Sequence, residues 1–322
     1  MIGPVLVTGG SGFLGRHLLA ALVEIGPVVT FGRRKTDTEH IPGDIDDADA
    51  LARAVDVVRP RLVFHLAALV PPAPACRLYR INTGGTANLL AALAGRRARL
   101  VLAGSAAELG PVPVEDLPIV EDKPCRPAGP YALSKWCASR LALAASKPLE
   151  VVVARLFNPI GPGLPASQAL GRYARDLAAP GPDPVLLTVG DLDSRRDFLD
   201  VRDAAAALVA LARRGRPGQV YHVGTGRSRR VGDGLDALIR LSGRRVVLEP
   251  HAHHAGPSSP ADSRADIRKI VAETGWRPAI PWEQTLADLW AANRMGPKAA
   301  VRTPHSTIRN PAIALARRGD RA

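Results

Sequence analysis

The sequence predicts an α/β fold: a doubly wound parallel sheet with helices on both faces, followed by a smaller C-terminal α/β cap. Three observations carry that expectation. Strand-like and helix-like stretches alternate through the first half of the chain. A glycine-rich turn joins the first strand to the first helix, the arrangement of a Rossmann-type unit. After Asn158 the composition shifts to a Pro/Gly-rich region with separate helices. At 322 residues, 46% of them hydrophobic, the chain is long enough for one large α/β unit plus a small one.

The first strand is the apolar run 5–7. It turns through Gly9, Gly10, Gly12 and Gly15 and opens into a helix carrying Leu18, Leu19, Ala20, Leu22 and Val23. Such a turn presents backbone N–H groups at a helix N-terminus, where the peptide dipoles favour an anion. Its glycines serve positive φ, close approach to a phosphate, or close helix–strand packing. A second strand is expected at 28–31, a helix at 47–58 capped by Asp46 or Asp47, and a strand at 62–66. A helix follows at 83–93, a strand at 100–103, a helix at 131–145 started by Pro130, and a strand at 151–156. Right-handed crossovers then place ligands at the carboxyl ends of the strands. Beyond them, helices are expected at 167–178, 201–213, 233–241 and 283–293. The division is residues 1–165 for dinucleotide binding, with some later elements returning to it, 166–293 for substrate, and 294–322 as a disordered basic tail.

Composition narrows the setting. Apolar runs are short and broken by Gly, Pro or charge, which argues against a membrane span. No charged segment followed by an apolar one opens the chain, so no signal peptide is expected. Cys76, Cys125 and Cys137 are odd in number and lack metal-ligand spacing, and a reducing cytoplasm is the simplest setting. Of the net charge of +13, +6 falls in the tail from Arg294 onward, with seven Lys/Arg against one acidic residue. The tail has no sustained apolar period and no aromatic interleaving, so it is read as solvated rather than as a nucleic-acid or membrane contact. The cluster His251, His253 and His254 lies in a polar Pro/Ser loop and is likewise read as solvated, so no metal is expected.

Two features carry chemistry. Tyr131 and Lys135 stand at i and i+4 on one helix face. A cation near a phenol stabilises phenolate and lowers a pKa that is ordinarily about 10, which suits general acid/base work on a carbonyl or alcohol. Ser105 follows the strand at 100–103, where a hydroxyl can polarise a reacting carbonyl oxygen.

Taken in order, Thr8-Gly9-Gly10-Ser11-Gly12-Phe13-Leu14-Gly15, Gly43-Asp44-Ile45, His65-Leu66-Ala67-Ala68, Asn82-Thr83-Gly84-Gly85-Thr86, Ser105, Pro130-Tyr131 through Lys135, Arg155-Leu156-Phe157-Asn158-Pro159 and Arg196-Asp197-Phe198 resemble the extended short-chain dehydrogenase/reductase family of nucleotide-sugar epimerases, dehydratases and reductases. The resemblance covers about residues 4–293. It implies that Gly9, Gly12 and Gly15 cradle a dinucleotide pyrophosphate, with Phe13 and Leu14 beside it. Asp44 and Ile45 would meet the adenine, and Leu66, Ala67 and Ala68 would line the path to the nicotinamide ribose. Tyr131 would be the acid/base, Lys135 would hold the ribose hydroxyls and tune Tyr131, and Ser105 would orient the ketone. Asn158 and Arg196 match positions used against the substrate's nucleotide diphosphate. Arg196 could instead form an ion pair with Asp193 or Asp197, and Asn82 could be a helix cap.

Cofactor and reaction follow from particular residues. The second strand runs into Gly32-Arg33-Arg34-Lys35, with no acid for the adenosine ribose and cations that recognise phosphate. NADP(H) is therefore favoured, with Arg33 or Arg34 on the 2′-phosphate and NAD(H) as the alternative. The two residues after Ser105 are Ala106 and Ala107, where eliminating relatives carry proton-abstracting side chains; Glu108 is displaced by one position and should face elsewhere. Hydride transfer alone remains. The segments Gly110 through Pro118 and Gly190 through Phe198 look most like the GDP-4-keto-6-deoxy-mannose reductase branch of the family. Leu109, where Tyr is usual, and the histidine loop, where Arg is frequent, depart from it. The expectation is a reductase of the C4 ketone of a GDP- or dTDP-linked 4-keto-6-deoxy sugar, in a homodimer as is usual in the family. A 4-epimerase with retained NAD and a catalytically silent dinucleotide-binding protein are the alternatives.

Overall fold

The structure, a computed structural model, describes residues 3–23, 25–145, 147–250 and 261–295. The histidine cluster at 251–254 and the basic tail from 296 onward lie outside the described residues. The chain runs β1 (Val5–Thr8), α1 (Phe13–Ala21), β2 (Val28–Gly32), β3 (Glu39–Pro42), α2 (Ala48–Val58), β4 (Leu62–His65) and α3 (Ala75–Leu78). A π-helical turn, Tyr79–Gly84, leads into α4 (Gly85–Ala92), then β5 (Arg99–Ser105), α5 (Pro130–Leu143) and β6 (Glu150–Leu156). The second half holds β7 (Pro159–Ile160), α6 (Ala169–Ala178), β8 (Val185–Val189), β9 (Arg195–Arg196), β10 (Leu199–Asp200), α7 (Val201–Arg214) and β11 (Gln219–Val223). It ends with β12 (Arg229–Arg230), α8 (Val231–Ser242), β13 (Val246–Pro250), α9 (Arg268–Thr274) and α10 (Trp282–Arg294).

Seven strands form one sheet in the order β3-β2-β1-β4-β5-β6-β11, and every pairing in it is parallel. This is the Rossmann-type doubly wound sheet expected. The period-2 alternation of the strands divides the core between two faces. Val5, Val7, Phe64 and Val101 pack with α1 and α7, whereas Leu6, Val63, Leu100 and Leu102 pack with α2 and α4. Burying a Val or Leu completely stabilises the fold by about 1.5–3 kcal/mol, and Val5, Leu6 and Val7 are fully buried. Such strands read as unbroken apolar runs because both of their faces are covered.

Local signals explain the element ends. The Asp47 side chain accepts the Ala50 N–H at 2.9 Å and caps α2. Pro130 occupies the first turn of α5, where its missing N–H leaves no bond unmade. The helix expected at 83–93 begins earlier, through the π-helical turn at Tyr79.

A separate apolar core forms among α6, β8, α8 and α10, around Tyr173, Leu177, Leu187, Leu238 and Leu289. The later elements α7, β11 and α9 do not join it; they pack against the large sheet. Among the described residues no helix is long and apolar enough to cross a membrane, and no group of His, Cys, Asp and Glu could hold a metal ion.

Candidate active site

The site grows from the carboxyl edge of the sheet. Gly9 follows β1 and Leu66 follows β4, and strand order reverses between these two neighbours, so a crevice opens there. Gly9 has φ +75°, and a Cβ on it would lie 2.6 Å from the Ala67 nitrogen. Only glycine lets the loop come this close to the exit of β4. A Cβ on Gly15 would lie 2.2 Å from the Gly9 carbonyl oxygen, so Gly15 seats α1 on the loop. Gly12 is the N-cap of α1 and provides no capping side chain. The first-turn N–H groups therefore lack a protein cap, as an anion site requires.

An open cleft runs along this edge. It is lined by Gly9, Gly12, Arg33, Arg34, Asp44, Ile45, Leu66, Ala67 and Ala68, all expected there, together with Thr36, His40 and Arg77, which were not. Arg33 lies 3.7 Å from the Asp44 carboxylate. Three of the expected residues do not line the cleft with their side chains. The Phe13 side chain packs on the smaller core and edge-on to His17, and Leu14 packs on the large core. Gly15 also lies outside the cleft lining, because its close contact is with the Gly9 and Gly10 carbonyls. Helix geometry turns these residues inward, away from the N–H groups that face the crevice.

Ser105 ends β5 and caps the tight turn Ala106–Leu109, its hydroxyl accepting the Ala107 N–H at 3.2 Å. The Ser105 side chain is close enough to the Tyr131 phenol to favour its ionised form, so the strand end and α5 meet at these two groups. Lys135, one turn further along α5, is buried and donates to the Ala103 carbonyl at 2.6 Å. Burial pushes the Tyr131 phenol above its ordinary value, opposed by the Ser105 side chain and assisted by the Glu108 carboxylate. The shift runs opposite to that expected from the Tyr131/Lys135 spacing. Desolvation of the phenolate is the largest cause, and the ammonium donates its hydrogen bond to Ala103. Burial likewise lowers Lys135, while Glu108 raises it.

A hydrogen-bonded chain ties the two ends together. The Thr8 hydroxyl meets His65 Nδ1 at 2.6 Å, and His65 Nε2 meets the Thr86 hydroxyl at 3.0 Å. Burial, with Lys135 as the lesser cause, pushes His65 down to about 3 and keeps it neutral. Thr86 donates to the Asn82 carbonyl at 2.7 Å. The Asn82 amide brackets Leu69 through both its N–H and C=O, and donates to the Ser134 hydroxyl at 2.9 Å. Ser134 donates to the Tyr131 carbonyl at 2.8 Å. Asn82 is thus a clamp between the cleft wall and the start of α5, rather than a cap. Its presence in the Asn-Thr-Gly-Gly-Thr motif was the signal for it.

On the other side, Asn158 has φ +27° and donates to the Asp197 carbonyl at 3.2 Å. The Asp197 carboxylate is buried and accepts from Thr225, Gly226 and Ala265 backbone N–H groups. These bonds make it the anchor of the turn after β11, and the Arg196 guanidinium donates to the Arg195 carbonyl at 2.7 Å. Asp191 and Asp262 act on Arg196 through space, and burial lowers its pKa.

Residues 5–224 match the NAD dependent epimerase/dehydratase family. The chain belongs to that family. It is 33% identical over 301 residues to the GDP-6-deoxy-D-mannose reductase of Pseudomonas aeruginosa, with 89% of this chain and 95% of the relative covered. It is 30% identical to a UDP-glucose 4-epimerase of Azospirillum brasilense, covering 88% and 92%. The structure of RMD from Pseudomonas aeruginosa complexed with NADPH superimposes with a TM-score of 0.78 at 31% identity, covering 91% of this chain and 99% of that one. The first two relatives are named for nucleotide sugars, and the solved structure carries NADPH. The cleft fits such a group: a loop that admits no Cβ at Gly9, uncapped helix N–H groups, an apolar strip at Ile45, Leu66 and Ala67, and cations at its rim.

Proposed function

We propose that this chain is an NADPH-dependent reductase of the C4 ketone of a nucleotide-linked 4-keto-6-deoxy sugar. The observation that carries the reading is the approach of the Ser105 side chain to Tyr131 at the end of β5, followed by two alanines in place of any proton-abstracting side chain. When bound, the nicotinamide would supply hydride. Gly9 and Gly12 would admit the pyrophosphate, Arg33 and Arg34 the 2′-phosphate, and Asp44 and Ile45 the adenine side of the cleft. Ser105 would hold the substrate oxygen by its hydroxyl, and Tyr131 would donate the phenolic proton to it. Lys135 would hold the ribose hydroxyls, leaving Ala103 when they arrive. Asn158 and Arg196 would face the substrate diphosphate.

The direction of the Tyr131 shift supports reduction. A phenol kept protonated at neutral pH is ready to give a proton to a carbonyl and poorly placed to take one from an alcohol. The 4-epimerase alternative, which needs both steps, draws support from the similarity to UDP-glucose 4-epimerase. In the same reading, residues 1–165 bind the dinucleotide, with α7, β11 and α9 returning to them, and 166–293 bind the sugar nucleotide. Leu133 and Leu141 are exposed on one face of α5 and fit a homodimer through that helix.

A panel of GDP-, dTDP- and UDP-linked 4-keto-6-deoxy sugars, each with NADPH and with NADH, tests the proposal. Loss of reduced-nicotinamide absorbance with a GDP or dTDP substrate and preference for NADPH are expected. Tightly co-purifying NAD with interconversion of 4-hydroxyl epimers would favour the epimerase. Cofactor binding without turnover of any member would favour a binding protein.

A further inference from the structure

Glu108 is a carboxylate beside Ser105 and Tyr131 that the mechanism above does not use. Its residue surface is 0% exposed. One carboxylate oxygen accepts the Ser105 backbone N–H at 2.7 Å and the Ser139 hydroxyl at 3.0 Å. The other accepts the Arg155 Nε and Nη2 donors, each at 3.2 Å. Arg155 is held from behind: Nη1 donates to His222 Nε2 at 3.1 Å, while His222 Nδ1 donates to the Ile119 carbonyl at 3.0 Å. Space is tight around this group, since a Cβ on Gly104 would lie 2.7 Å from the carboxylate.

We propose that Glu108 is a positioning residue for the Ser105–Tyr131 pair, gripping Ser105 by its backbone, α5 by Ser139, and facing the Lys135 ammonium with its negative charge. The inference rests on the reductase reading for its kinetic part only. A buried ion pair such as Glu108–Arg155 is weak evidence of added stability, because desolvation offsets much of the attraction. Its bonds instead join the two elements that carry the reacting groups. The hydroxyl of Ser105 can hold its orientation toward Tyr131 only if the strand end and α5 keep their spacing, and Glu108 bonds to both.

The groups facing this carboxylate are Tyr131 and Lys135 on α5, Arg155 on β6, and Cys125 on the loop between β5 and α5. His222 on β11 is pushed down to about 3, mainly by burial, and stays neutral, so it leaves the charge of the pair unaltered. A carboxylate disfavours phenolate and favours ammonium, so its removal should move the ionisation of both Tyr131 and Lys135 to lower pH.

Glu108→Gln keeps an acceptor oxygen and removes the charge. Glu108→Gln/Arg155→Gln removes both charges and leaves no unpaired ion in the core. The first readout needs no substrate: phenolate absorbance against pH, taken as the difference from the matching Tyr131→Phe protein. Ionisation of Tyr131 at lower pH than in the native chain is expected in both variants. The second readout is kcat and KM on the best ketosugar, with kcat lower by about tenfold to a hundredfold, as for a reacting pair slightly misplaced, and KM little changed. An unmoved Tyr131 ionisation in folded variants, or native kcat, overturns the proposal. Unfolding of both variants overturns it too, because Glu108 would then serve the core and not the site. If the native chain reduces no ketosugar, the reductase reading fails while the phenolate titration still decides the role of Glu108.

Discussion

Tyr131→Phe should lower kcat on the ketosugar by roughly a thousandfold, within the range of about 10²–10⁴ for loss of a general acid, while NADPH affinity stays nearly native. The substitution removes one oxygen and keeps the ring, so α5 and its bonds through Ser134 and Asn82 remain as they are. The sign of the pH effect follows from burial. The acid must be protonated to work, so the rate falls as pH rises through the Tyr131 pKa. Because burial raises that pKa above its ordinary value of 10.0, the native rate should hold through the neutral range and fall only on the alkaline side. Stopped-flow single turnovers of native and Tyr131→Phe proteins across pH check both points. Substantial residual turnover with an unchanged alkaline limb would remove Tyr131 from the acid role.

Arg33→Ala/Arg34→Ala should weaken NADPH on the order of a hundredfold and NADH by only a few-fold, since each charge-assisted contact to the 2′-phosphate contributes about 1.5–3 kcal/mol. Arg33 and Arg34 line the cleft beyond the end of β2, where the chain offers no acid to the adenosine ribose. Arg33 also lies near the Asp44 carboxylate, so its loss should free Asp44 and further disfavour a phosphate there. Titration of both nucleotides by fluorescence quenching, at low and high salt, measures the contrast. Equal losses for the two nucleotides would place the phosphate contact elsewhere, with Arg77 the next cation on the same wall.

Much of this was legible in the sequence, for physical reasons. Strands β1, β4, β5 and β6 are covered on both faces and so read as apolar runs; the turn after β1 is marked by glycines that tolerate no Cβ. Strands β3, β8 and β13 were not legible. β3 ends in proline at the edge of the sheet, and β8 pairs only with β13, more than fifty residues away in sequence, so neither carries a local signature. Ser105, Tyr131 and Lys135 stand out by residue type and spacing, and the fold brings Ser105 to Tyr131. What spacing could not give was burial, which reversed the sign of the Tyr131 shift and sent the Lys135 ammonium to Ala103. Nor could it show that Glu108, set aside as displaced by one position, is wholly enclosed and bonded to the Ser105 backbone.

The central claim is net delivery of hydride from the cofactor to C4 of the sugar. NADPH carrying deuterium on the transferable position, incubated with the preferred 4-keto-6-deoxy sugar nucleotide, tests it most directly through the mass and NMR spectrum of the product. The account predicts one deuterium at C4 for each NADPH oxidised, and none when Tyr131→Phe replaces the native protein over the same interval. Product formed with no label at C4, or with the nicotinamide returned unchanged, would contradict it.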